Sequence, residues 1–106
     1  MTLAMSWTEW SRHDATALAE RVRNGEVTPA ELAAQAEAAV AKINPATSAV
    51  VELFADAIAT PTTDGTNTAG PFAGVPYLMK DLGPTLRGRR QEMGALLMMG
   101  HTATQD

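Results

Sequence analysis

The segment Thr28-Pro29-Ala30-Glu31 constrains the fold more than any other short stretch of the chain. A threonine followed three residues later by a glutamate is the capping-box pattern, in which each side chain bonds the backbone N–H of the other residue. Proline suits the first helical position, where no N–H is needed. The sequence therefore predicts a helix from here to Asn44-Pro45. Residues at helical spacing form its expected buried face: Leu32, Ala36, Ala39, Val40 and Ile43.

A shorter helix is predicted just upstream. Asp14 is a suitable N-cap, and Gly25 lies where a left-handed C-terminal residue is expected. The apolar residues between them recur at helical spacing and form one stripe: Ala15, Leu18, Ala19 and Val22. We therefore expect the chain to open with an αα-hairpin made of helices at about 14–24 and 28–44.

Two later stretches predict strands. Residues 49–54 are rich in β-branched and aromatic side chains. Residues 75–80 form an apolar run in which Pro76 argues against a helix but is tolerated at the start of a strand. Between the two stretches, the polar and turn-forming composition of residues 59–71 predicts a loop. A short helix is expected over residues 92–99.

Composition narrows the class of protein. The chain has 106 residues, 45% hydrophobic and 19% charged, which is typical of one small globular domain. Its net charge of −4 gives no general attraction to nucleic acid or to an anionic membrane. It has no cysteine, which excludes disulfides, thiolate metal sites and a cysteine nucleophile. Without a signal-peptide pattern or a long apolar run, we expect a soluble, cytoplasmic protein.

Lys80 is the candidate catalytic residue. Side chains alternate along a strand, so Lys80 would share a face with Pro76 and Leu78, whereas Asp81 would point to the other face. Apolar surroundings disfavour the ammonium form of a lysine. A neutral amine can take a proton from a hydroxyl group, as a general base does. The same pattern is also typical of an ordinary solvated strand end, so the residues alone leave both interpretations open.

A family resemblance favours the catalytic interpretation. Residues 70–82, GPFAGVPYLMKDL, resemble the Gly-Pro-Leu-x-Gly-Val-Pro-x-x-x-Lys-Asp block of the amidase-signature family. Residues 14–20, 25–32 and 43–45 also resemble the helical segments that precede the first strand in that family. The resemblance implies an α/β fold, in which the αα-hairpin is followed by strands of an incomplete mixed-sheet α/β/α fold. Residues 1–106 would then be the N-terminal part of a single amidase-signature domain.

The resemblance also implies a reaction. The family hydrolyses carboxamide C–N bonds of small-molecule amides through a Ser–Ser–Lys triad, without a metal or an organic cofactor. The role carried over to Lys80 is that of the base. The lysine takes a proton from a bridging serine, which is held by a cis peptide bond, and the bridging serine takes one from the nucleophilic serine. The resulting acyl-enzyme is hydrolysed by water.

The chain departs from the family pattern at the serines. Both belong to a Gly/Ser-rich stretch beyond the lysine, and the sequence stops at Asp106 without one. Its own serines, Ser6, Ser11 and Ser48, lie in unrelated contexts. Ala95 also stands where family members commonly have serine. We therefore expect the isolated chain to be inactive.

Two alternatives to a lysine-bearing part of an amidase remain open. The chain could be a non-catalytic amidase remnant that binds another protein through exposed apolar surface, which would also promote self-association. It could instead be one half of a split amidase, with the serines on a separate polypeptide.

Overall fold

The computed structural model describes residues 2–61 and 67–106, and these divide into two compact units. The first unit, Met1–Pro76, contains the helices α1 (Trp7–Ser11), α2 (Ala15–Arg23), α3 (Pro29–Thr47) and α4 (Ala55–Ala59). The second unit, Tyr77–Asp106, contains a 3-10 helix at Leu96–Met98. None of the helices in the described ranges has the length and apolar character needed to cross a membrane.

The predicted α/β fold is wrong for the described residues, whose regular elements are all helical. Residues 49–54 and 75–80 form no strand. A strand needs a neighbour that takes up its backbone N–H and C=O groups. Within 2–61 and 67–106, the only pairing of this type is an isolated antiparallel bridge between Arg90 and Thr102. The side chains favour a pleated surface, but the described ranges contain no second strand to complete it.

Helix α2 has the two ends that the sequence predicts. The Asp14 carboxylate accepts a hydrogen bond of 2.8 Å from the backbone N–H of Ala17. At the other end Gly25 has a φ of +74°. The N–H of Gly25 donates to Val22 O at 3.1 Å, and the following residue donates to Arg21 O at 2.9 Å. These two bonds satisfy carbonyl groups that a helix end otherwise leaves unpaired.

Helix α3 begins as predicted. Thr28 Oγ1 accepts a hydrogen bond of 3.1 Å from the Glu31 N–H, and Glu31 Oε1 accepts one of 3.0 Å from the Thr28 N–H. The predicted buried face holds only near this end, because Leu32 is buried whereas Ile43 is 50% exposed. The core is too small to cover the whole length of the helix.

The predicted end of α3 at Asn44-Pro45 is wrong, because the helix runs through Pro45 to Thr47. Proline removes one N–H, but the last turn is kept by a bond of 2.8 Å from the Ser48 N–H to Asn44 O. The Asn44 side chain also accepts from the N–H of Val50 at 3.0 Å and donates to its carbonyl at 2.9 Å. These side-chain bonds fix the chain as it leaves the helix.

A small apolar core holds the first unit together. We call it the N-terminal cluster, and it consists of the buried residues Met5, Leu18, Val27 and Leu32. Three partly buried side chains pack against it: Trp10, Val22 and Val75. The cluster thus joins α2, α3, the segment between them and a residue far along the chain.

Two short helices lie outside the predicted elements. Helix α1 has Ser6 as its N-cap, whose Oγ accepts a hydrogen bond of 3.1 Å from the Glu9 N–H. Ser6 and Glu9 have the spacing of a capping box, which is the sequence signal for this helix. Helix α4 follows residues 49–54 directly and contacts α3. Of the predicted loop at 59–71, residues 62–66 lie outside the described residues.

The second unit is held by backbone pairing between residues 88–91 and 101–103. Gly88 donates to Ala103 O, Ala103 donates to Arg89 O, and Gln91 donates to His101 O, each at 2.9 Å. The helix predicted over 92–99 is wrong apart from the 3-10 turn at Leu96–Met98. Met93 and Gly94 have φ angles of +55° and +68°, which a right-handed helix does not contain.

Candidate functional site

The first half of the 70–82 block is anchored on the helices of the first unit. Arg23 Nη1 donates a hydrogen bond of 3.2 Å to the carbonyl of Pro71. Val75 packs against the N-terminal cluster. The two contacts lie on either side of Gly74, so the chain from 71 to 75 is held at both ends.

Gly74 allows the backbone of this segment to lie close to Pro29 and Val22. A Cβ built on it would lie 2.9 Å from Pro29 Cγ and 3.3 Å from Val22 Cγ1. Its φ is +86°, a region that residues with a Cβ rarely adopt. Steric and conformational constraints therefore coincide at this position. They give a structural reason for the glycine of the Gly-Val-Pro sequence.

Lys80 lies in the second unit, where its side chain is exposed. The expectation that apolar neighbours shield it is wrong, since Leu78, the neighbour predicted to share its face, is itself 74% exposed. No hydrogen bond or ion pair to Lys80 occurs within the described residues. Lys80 thus presents a primary amine without a partner among the described residues, on a segment that has no regular secondary structure.

The carboxylate of Asp81 does not pair with the neighbouring lysine. Its Oδ1 accepts a hydrogen bond of 3.2 Å from the backbone N–H of Glu92. The Glu92 side chain in turn accepts one of 2.6 Å from the Gly100 N–H. The sequence gives no direct signal for these contacts, because they depend on how the loop after Asp81 closes.

The three serines of the chain have structural positions in the first unit. Ser6 caps α1, and the Ser11 hydroxyl donates to Thr8 O at 2.9 Å. Ser48 is the left-handed residue that ends α3. None of them has the Gly-rich surroundings that the family resemblance calls for. An amine without a nucleophile can bind or move a proton, but it cannot form an acyl-enzyme.

Two curated hydrolases match a large part of the chain. A stretch of 70 residues, 65% of this chain, is 47% identical to the 6-aminohexanoate-cyclic-dimer hydrolase of Pseudomonas sp. (strain NK87). The enzyme of the same name from Paenarthrobacter ureafaciens matches to the same extent. A lipoamidase from Enterococcus faecalis is 36% identical over 86 residues, 81% of this chain.

These matches cover little of the relatives themselves. The chain spans 13% of the two cyclic-dimer hydrolases and 12% of the lipoamidase. No protein-family model matches the chain, and no solved structure gives a significant match. The partial matches support a relationship with amidase-family hydrolases.

Proposed function

We propose that this chain is the lysine-bearing part of an amide hydrolase and that Lys80 is the base of its Ser–Ser–Lys triad. The observation that carries the proposal is the 47% identity over 70 residues to hydrolases named for the cyclic dimer of 6-aminohexanoate. The Lys-Asp pair that follows the Gly-Val-Pro sequence supplies the candidate residue. The anchoring of Gly74 and Val75 on the helices gives that sequence a defined conformation.

In this proposal the amine of Lys80 takes a proton from a bridging serine, which takes one from the nucleophilic serine. The nucleophile attacks the amide carbonyl, the C–N bond breaks, and the proton passes to the leaving amine. Water then hydrolyses the acyl-enzyme. Both serines belong to polypeptide outside these 106 residues. General-base catalysis contributes roughly a hundredfold to ten-thousandfold to a rate.

The proposed substrates are carboxamides. The names of the relatives suggest two to test first, the cyclic dimer of 6-aminohexanoate and a lipoyl amide. Nothing in the proposed chemistry calls for a metal or an organic cofactor. The cytoplasmic location stays a prediction of the sequence.

The experiment that tests this proposal mixes the purified chain with the serine-bearing remainder of the Paenarthrobacter hydrolase and measures turnover of the cyclic dimer. We expect no turnover by either part alone, turnover by the mixture, and loss of it in Lys80→Ala. Lys42→Ala is the matched control, because Lys42 is the one other lysine of the chain. Turnover by the isolated chain that disappears in Lys80→Ala would contradict the predicted inactivity.

One feature of the second unit favours an interaction module as the alternative. Leu96, Leu97 and Met99 lie close together in the sequence and are each at least 70% exposed. Contiguous exposed apolar surface often marks a site of protein interaction. A non-catalytic remnant would use such residues to bind a protein or a second copy of itself. Sedimentation analysis of the purified chain distinguishes the cases, since a stoichiometric complex supports the module and a monomer disfavours self-association.

A further inference from the structure

The loop that follows Lys80 is closed by two hydrogen bonds that meet at one residue. Asp81 Oδ1 accepts from the Glu92 N–H at 3.2 Å, which joins the two ends of the loop 81–92. Glu92 Oε2 accepts from the Gly100 N–H at 2.6 Å, which closes the next loop. Asp81 and Glu92 are both partly buried. Hydrogen bonds to ionised carboxylates are stronger than neutral ones.

Lys80 immediately precedes the loop 81–92 that the first of these hydrogen bonds closes. Its own backbone and side chain have no hydrogen bond within the described residues, so its position depends on its neighbours in the chain. On the C-terminal side, that neighbour is fixed by the bond to Glu92. We propose that Asp81 is a positioning residue, which holds the backbone at Lys80 by binding the Glu92 N–H. This inference rests on the proposed role of Lys80 as a base.

In the described part of the chain, the Asp81 carboxylate forms no ion pair with Lys80. Its Oδ1 accepts the backbone N–H of Glu92 instead. Asp81 thus fixes the main chain beside the base without pairing with the base.

The test uses the 106-residue chain itself. The chain has two lysines, so selective ¹⁵N-lysine labelling gives two backbone amide signals, from Lys80 and from Lys42 in α3. Backbone order at both is measured in wild type, Asp81→Ala and Asp81→Asn. Asparagine retains an oxygen that can accept the Glu92 N–H, so it is the conservative variant. In uniformly labelled samples, amide exchange of Glu92 and of buried Ala103 is followed.

We expect an ordered Lys80 amide in wild type and in Asp81→Asn. In Asp81→Ala its order parameter should fall below about 0.6. Exchange of the Glu92 amide should become about tenfold faster, while Lys42 and Ala103 stay unchanged. Unchanged order at Lys80 in Asp81→Ala would overturn the proposal. Loss of protection at Ala103 would also overturn it, since Asp81 would then support the whole unit rather than position one residue. The readout is backbone order, so a failure of the proposed hydrolysis would leave it unaffected.

Discussion

The Gln35 side chain binds the backbone of Met5 at both polar groups. Its Oε1 accepts a hydrogen bond of 3.2 Å from the Met5 N–H, and its Nε2 donates one of 3.2 Å to the Met5 carbonyl. Gln35 is 0% exposed, so no water competes for these bonds. The amide pairs with the main chain as a neighbouring strand would. It thereby ties the segment before α1 to α3.

Replacing Gln35 should therefore be severely destabilising. In Gln35→Leu the N–H and carbonyl of Met5 would be buried without partners, and the free energy of unfolding should fall by roughly 2–4 kcal/mol. That is a large share of the stability of a chain this size. Urea denaturation followed by circular dichroism measures it. The control Gln105→Leu changes an exposed glutamine and should change stability little; an equal loss in both variants would contradict the role of Gln35.

A second prediction concerns the glycine of the Gly-Val-Pro sequence. Gly74→Ala combines left-handed backbone strain with a contact of 2.9 Å to Pro29, and should destabilise the first unit by roughly 2–4 kcal/mol. Gly25→Ala is the matched control, because Gly25 has a φ of +74° but no atom within 4 Å of the added Cβ. Strain alone predicts a loss of about 1–2 kcal/mol there. Equal losses at both positions would show that the close approach at Gly74 has no energetic weight.

Two threonine-to-alanine substitutions should change the stability in opposite directions, because only Thr28 belongs to the capping box of α3. Thr28→Ala removes the acceptor for the Glu31 N–H and should lower stability by about 1 kcal/mol. Thr16→Ala lies on the exposed side of α2, where alanine is the better helix former, and should raise stability by up to about 0.5 kcal/mol. Thermal denaturation of the two variants tests this difference. A stabilising Thr28→Ala would contradict the cap.

Hydrogen exchange tests the absence of a strand around the lysine. Backbone amides of residues 77–80 have no acceptor in the described part of the chain, so they should exchange at nearly the rate of an unfolded peptide. Amides inside α3, such as that of Leu32, should exchange more slowly by at least roughly tenfold. Protection of residues 77–80 comparable to that of α3 would mean that they are paired after all.

The sequence predicts those parts of the fold that short-range chemistry determines. The Thr28 cap, the Asp14 cap and the left-handed Gly25 are each fixed by residues within one helical turn, and each is present. Strand formation at 75–80 depends instead on a distant partner, which a local pattern cannot supply. The side chains fit a strand, but the described residues contain nothing for it to pair with.

The candidate site likewise has features that the sequence predicts and features that it does not. The sequence identifies Lys80 and the glycine-containing block, and the role of Lys80 as a base stays a prediction. It gives no signal for the contact between Gly74 and Pro29, which are far apart in the chain. It gives none for the bond from Glu92 to Asp81 either, because that bond depends on how the loop after Asp81 closes. The exposure of Lys80 also differs from expectation, since it depends on whether other segments cover it.

The central claim is that Lys80 serves amide hydrolysis, and a chimera tests it most directly. Residues 14–100 of this chain would replace the equivalent part of the Paenarthrobacter 6-aminohexanoate-cyclic-dimer hydrolase, and turnover of the cyclic dimer would be measured. We predict an active chimera that loses activity by roughly a hundredfold or more in Lys80→Ala and keeps it in Lys42→Ala. An active chimera that keeps its full activity in Lys80→Ala would contradict the claim.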